Sequence, residues 1–157
     1  MDVENRMEAP VKEYCLGFAF TSIELSKEEV VLIRKNKPAF QKGKLNGVGG
    51  KVEGPEIAVH AMCREFFEET GVETAPAEWR HVCTFMFQDE YIHVFTAHHC
   101  RFGKCSTTTS EPVVIRPVNS LWCESRMPNL CWLVPMSLGA LQNPAGFHPL
   151  LVEDFPE

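Results

Sequence analysis

The chain has 157 residues, 45% of them hydrophobic and 10% aromatic, which is enough for one substantial core and too little for two ordinary domains. Its formal net charge of −6 excludes a surface built to attract nucleic acid nonspecifically. No window reaches the apolar length of a membrane span, MDVENRMEAP lacks the order of a secretory signal, and seven cysteines without a CxxC pair argue against a disulfide framework, so the expectation is a cytoplasmic chain that does not engage membranes.

In chain order, YCLGFAFTS (14–22) and EEVVLIRK (28–35) read as strands joined by a short polar turn. NKPAFQKGKLNGVGG (36–50) reads as a Gly/Lys loop running to a short strand near 50–53. Pro55 suits the first turn of a helix that continues to about Thr70, with Gly71 in the stop position. HVCTFMFQD (81–89) and YIHVFTAHHC (91–100) predict a hairpin, RFGKCSTTTSEP (101–112) a surface loop, VVIRPV (113–118) a strand, and VPMSLGALQ (134–142) a final helix. Mixed strands around one strongly marked helix predict an α/β sandwich, a single domain over residues 1–157 with about twelve N-terminal residues and the C-terminal tail peripheral.

The marked helix carries Glu65, Glu68 and Glu69 at its C-terminal end, where the backbone already presents partial negative charge. At about 100° per residue the three fall on one arc with Ala58 and Ala61, while Val59, Met62, Cys63, Phe66 and Phe67 spread over the other side. One side is then core and the other carboxylate, with small alanines leaving room for a ligand. Like charges at these spacings each cost a few tenths of a kcal/mol, a penalty that a hard divalent cation reverses. Three carboxylates plus a carbonyl are a set that Mg²⁺, or Mn²⁺ in its place, prefers. No acidic residue lies between Glu29 and Glu53, whereas Arg34, Lys35, Lys37, Lys42, Lys44 and Lys51 fall inside that interval. A basic segment beside an acidic cluster suggests phosphate groups held from both sides. His98, His99, Cys100 and Cys105 are of zinc-ligating type but lack a second metal-spaced pair.

The stretch Gly50, KVEGP, Glu56, IAVHAMC, Arg64, Glu65, Phe66, Phe67, Glu68, Glu69, Thr70, Gly71, Val72 resembles the Nudix signature at every position. That resemblance to the MutT-like Nudix hydrolases implies an α/β/α sandwich with a mixed sheet. It also implies roles by position: Glu56 and Arg64 brace the site, Glu68 and Glu69 match metal ligands, Glu65 matches a ligand or general base, and Gly49 matches a carbonyl ligand. Glu111, in the loop before a late strand, is the candidate for a further acidic ligand. The implied reaction is hydrolysis of a nucleoside diphosphate derivative by in-line attack of water, with Arg34, Lys44 and Lys51 as phosphate-binding candidates.

GKLNGVGGKVE is similar to the matching stretch of the oxidised-purine nucleoside triphosphatases, which places Asn46 against the base. On the same resemblance Phe85 and Phe87 line a base pocket and Met127 and Asn129 occupy its C-terminal recognition segment. An asparagine stands there in place of an aspartate, so the edge read need not be that of an oxidised guanine. The expected activity is conversion of a (d)NTP and water to a (d)NMP and pyrophosphate, nucleotide-pool sanitising included. The alternatives are a dinucleoside polyphosphate, ADP-ribose or capped-RNA hydrolase, for which Phe87 and Tyr91 stand near the diagnostic places, and a silent nucleotide-binding module. A homodimer stays open.

Overall fold

In a computed structural model the described residues are 10–153. The chain forms strands β1 (Lys12–Ser22), β2 (Glu29–Arg34), β3 (Leu45–Asn46) and β4 (Val48–Lys51), helix α1 (Ala58–Thr70), strands β5 (Arg80–Met86), β6 (Glu90–His98) and β7 (Val113–Pro117), helix α2 (Leu130–Gln142) and strand β8 (Leu150–Glu153). The sheet has the order β3-β2-β1-β6-β5-β8, with β4 added on β1 and β7 on β2. β1 runs parallel to β6 with Leu16 opposite Val94, and antiparallel to β4 with Leu16 opposite Gly49. The sheet is therefore mixed.

Both faces of this sheet are covered, which explains why β1 and β2 read as nearly continuous apolar runs. Phe18, Phe20, Val30 and Leu32 point to one face and pack with Leu130, Leu133, Val134 and Leu138 of α2. Ala19, Val31 and Ile33 point to the other and pack with Ala61, Met62 and Phe66 of α1. The result is the α/β/α sandwich expected from the sequence. No helix among the described residues is long and apolar enough to cross a membrane.

Several boundaries differ from those expected. α1 begins at Ala58, after an extended Ile57, because Pro55 belongs to a preceding turn in which Glu56 N–H bonds to the Glu53 carbonyl and Glu53 N–H to Glu56 Oε1. Its end at Thr70 matches, with Gly71 at φ 76°. That left-handed conformation costs glycine nothing. α2 starts four residues before the expected Val134 and holds Pro135 inside the helix, where the missing N–H removes only one backbone bond. The strand expected near 50–53 lies earlier, at Val48–Lys51, and β3 precedes it. The surface loop 101–112 opens with a 3-10 turn over Cys100–Lys104 that buries Phe102. Within the described part of the C-terminal tail, β8 extends the sheet beside β5; the rest of the tail and the first nine residues lie outside the described residues.

α1 is also not two-sided in the way its helical angles predict. Ala61 is fully buried, whereas Phe67 is 49% exposed. The alanines therefore leave no room above the helix; they let α1 lie close on the sheet. The acidic arc runs along the edge of that contact and meets the end of β4.

Candidate active site

The turn after β4, residues 51–57, and α1 are tied together by Arg64. Its guanidinium donates to Glu56 Oε1 at 2.6 Å and Oε2 at 3.2 Å, to the Lys51 carbonyl at 2.9 Å, to Glu65 Oε1 at 2.8 Å and to Glu68 Oε2 at 3.3 Å. A planar fork with fixed donors can hold one carboxylate from two directions and still reach others, which a lysine cannot. The Arg64 bonds hold the Glu56 carboxyl below the usual carboxylate range.

Glu65 and Glu69 turn from α1 toward β4. The Glu65 carboxylate occupies the space that a side chain at position 50 would need, so Gly50 admits it against the strand. Burial raises the Glu65 pKa above its ordinary value, against the pull of Arg64. Glu69 is perturbed further: burial pushes it up to about 7, with the charges of Glu65 and Glu111 adding to the shift and Lys35 opposing it. Its Oε2 is buried and has no hydrogen-bond partner. An orphaned buried carboxylate oxygen is costly unless something positive meets it.

Glu111 lies 7% exposed in the loop before β7. It accepts from Lys35 Nζ at 2.8 Å and from Asn36 N–H at 2.6 Å. Burial pushes its pKa up, but these two donors outweigh that and hold it below the ordinary range. Among the described residues no three carboxylate, imidazole or thiol groups converge at metal-binding distance. The reason is visible in the contacts, since Glu65 and Glu68 lean to Arg64 and Glu111 to Lys35. The donor set nevertheless fits a hard cation. Glu65, Glu69, Glu111 and Gly49 line one cavity, and the unpartnered Glu69 oxygen is the atom such an ion would satisfy.

That cavity measures about 810 Å³, and its wall holds two groups of residues, an acidic end and an apolar end. At the first, Lys35 pairs with Glu111 and Glu65 lies against Gly50, with Lys37 and Lys51 also in the wall. At the second, Asn46 donates to Gln41 and Leu16 lies beside Gly47, with Phe40 and Ile92 also in the wall, as are Tyr14 and Glu90. The structure thus brings together Lys35, Lys37, Asn46, Gly49, Gly50, Lys51, Glu65, Glu69 and Glu111 of the residues singled out in the sequence. Arg34, Lys44, Phe85, Phe87, Met127 and Asn129 are not in the cavity wall. Arg34 reaches away to the Gly43 carbonyl at 3.1 Å and to Glu124 at 3.3 Å, and Lys44 lies outside. Phe85 is core, stacked on Phe87 at 6.2 Å and edge-on to Trp132 at 5.3 Å. Met127 packs against the same core while its N–H bonds to the Leu45 carbonyl. Asn129 begins α2 with Oδ1 buried and unpartnered. Among the described residues His98, His99, Cys100 and Cys105 do not converge as a metal-holding group either. His99 Nδ1 accepts from Arg101 N–H at 3.0 Å, and Cys105 is buried in the α1-side core.

Lys35 and Lys37, in the segment that follows β2, line the basic wall, whereas Arg34 and Lys44 do not. Phe40 and Gln41 were missed altogether, with only an aromatic in a Lys/Gly-rich loop to mark them.

The NUDIX domain family model matches residues 16–126. A search of curated proteins by sequence returns no match. Among solved structures the chain is similar to the NUDIX domain of Shewanella oneidensis NrtR complexed with ADP ribose, at 16% identity and TM-score 0.69, covering 85% of this chain and 90% of that one. It is similar to a MutT from Aliivibrio salmonicida or Vibrio cholerae at 20% identity and TM-score 0.60, covering 80% and 94%. It also resembles a MutT/nudix family protein from Enterococcus faecalis at 16% identity and TM-score 0.57, covering 68% of this chain and 44% of that one. At such identities the likeness is one of fold.

Proposed function

This chain belongs to the NUDIX domain family, and on that premise we propose that it is a nucleoside triphosphate pyrophosphohydrolase dependent on Mg²⁺, or Mn²⁺ in its place, converting a (d)NTP and water to a (d)NMP and pyrophosphate. The observation that carries this reading is that one cavity is lined both by Glu65, Glu69 and Glu111 with Lys35, Lys37 and Lys51 and by Asn46, Leu16, Ile92 and Phe40. A polyphosphate needs the first end and a base the second.

Glu65, Glu68, Glu69, Glu111 and the Gly49 carbonyl are the residues that would hold the cation, Glu68 by turning from Arg64. When bound, the cation neutralises charge on the phosphoryl oxygens and makes water a better nucleophile. Lys35, Lys37 and Lys51 bind the outer phosphates and stabilise the leaving pyrophosphate. Arg64, fixed by Glu56 and the Lys51 carbonyl, orients Glu65. Glu65 takes the proton of the attacking water. Burial raises its pKa above the ordinary carboxylate value, which makes it a stronger base than an exposed carboxylate. The water oxygen bonds to phosphorus as the bond to the bridging oxygen breaks, and pyrophosphate departs.

The likeness to a NUDIX domain holding ADP ribose supports a second reading, a nucleoside diphosphate sugar as substrate. Product analysis in ¹⁸O-labelled water tests the first: nucleoside monophosphate and pyrophosphate are expected, with label in one of them. Orthophosphate as the first product would reject it.

A further inference from the structure

Within the apolar end of the cavity, the Gly47 backbone N–H donates to Asn46 Oδ1 at 2.9 Å. A backbone amide can only donate, so the Asn46 atom that faces it is the carbonyl oxygen. The Asn46 amide nitrogen is thereby turned toward Gln41, and it donates to Gln41 Oε1 at 3.2 Å. An amide nitrogen can face only an acceptor, so the orientation of Gln41 is fixed in turn. One main-chain donor thus sets two side-chain amides, and both line the cavity. Each carbonyl oxygen already accepts a bond. Gln41 Nε2 donates to nothing among the described residues, and Asn46 Nδ2 keeps a second hydrogen.

We propose that Gln41 reads the base together with Asn46, the two amides presenting paired donors that select a nucleobase edge with two adjacent acceptors. This rests on the nucleotide reading above. Among purines that edge is N7 and O6 of guanine; adenine sets an N6 donor beside N7, and an 8-oxidised guanine carries a hydrogen on N7. Phe40 stands on the same 3-10 turn, Ala39–Gln41, 64% exposed and in the cavity wall, and gives the base a face to stack on. The turn therefore supplies both an aromatic platform and a polar reader.

The test compares kcat/KM for dGTP, 7-deaza-dGTP and 8-oxo-dGTP in the natural protein, in Gln41→Glu and in Gln41→Ala, with melting curves to show that each variant is folded. The natural protein is expected to prefer dGTP over 7-deaza-dGTP, which lacks the N7 acceptor, by about tenfold or more. Gln41→Glu keeps an oxygen for Asn46 but turns the free donor into an acceptor. Its preference for dGTP over 7-deaza-dGTP should fall to within about twofold while 8-oxo-dGTP gains. Gln41→Ala should lose the preference without that gain. Equal use of dGTP and 7-deaza-dGTP by the natural protein, or a preference unchanged in both variants, overturns the role of Gln41 alone. Hydrolysis of no nucleoside triphosphate by the folded protein overturns the nucleotide reading and this inference with it.

Discussion

The two ends of the cavity are built in opposite ways. At the acidic end, one guanidinium holds Glu56, Glu65, Glu68 and a backbone carbonyl, and all but the carbonyl come from nine consecutive residues, 56 to 64, and the four that follow. At the apolar end, Leu16, Phe40, Asn46 and Ile92 come from four separate elements and line one cavity, with β1 beside β6 in the sheet. Charge fixes the first end and topology the second. On the proposed reading, most of the reacting groups come from one stretch of chain, whereas the groups that would meet the base are scattered residues of ordinary identity.

The largest effect should follow from breaking the acidic end at its orphaned oxygen. Glu69→Gln is expected to lower turnover on the order of a thousandfold, measured at saturating substrate and Mg²⁺. The same change should stabilise the metal-free fold at neutral pH. The folded pKa of Glu69 is raised to about 7 from 4.5, so its favourable contribution is complete below about 4.5 and is lost as pH rises through about 7. Metal-free melting curves of the natural protein should therefore decline over that window more than those of Glu69→Gln. Added Mg²⁺ should raise the melting temperature of the natural protein and scarcely move that of the variant.

Arg64→Lys tests whether geometry or charge holds this end together. A lysine keeps the charge but cannot meet both oxygens of Glu56 and the Lys51 carbonyl at once, so kcat should fall about a hundredfold with KM little changed. Retention of most activity would show that charge alone suffices.

At the other end, Phe40→Ala should sharpen the contrast. The side chain is exposed, so stability should change by no more than about 0.5 kcal/mol. KM should rise about tenfold with kcat less affected, through loss of stacking. The smallest effect is expected at Lys44, which lies outside both ends; Lys44→Ala should alter kcat/KM by less than about twofold in a steady-state assay.

The same contrast explains what could be read from the sequence. The helix acids, their brace at Glu56 and Arg64, and the Gly71 stop were legible because ionic spacing and backbone conformation act within one stretch of chain. The sandwich was legible from alternating signals, with strand limits off by a few residues. Ala61 was misread because helical angle alone does not say where the sheet lies, and Phe85 because alternate aromatics on a strand look alike in a core and in a pocket. The bond between Lys35 and Glu111 spans 76 positions, and the amide relay through Gln41 depends on a single backbone donor. Neither leaves a pattern in the sequence.

A steady-state panel of kcat/KM for canonical and modified nucleoside triphosphates, dinucleoside polyphosphates and ADP-ribose, with Mg²⁺ and in EDTA, decides whether this is a metal-dependent nucleoside triphosphate pyrophosphohydrolase. A nucleoside triphosphate is expected to give the highest value, 8-oxo-dGTP is expected not to be preferred over dGTP, and EDTA is expected to abolish turnover. A clear win for ADP-ribose, or turnover undiminished in EDTA, would contradict it.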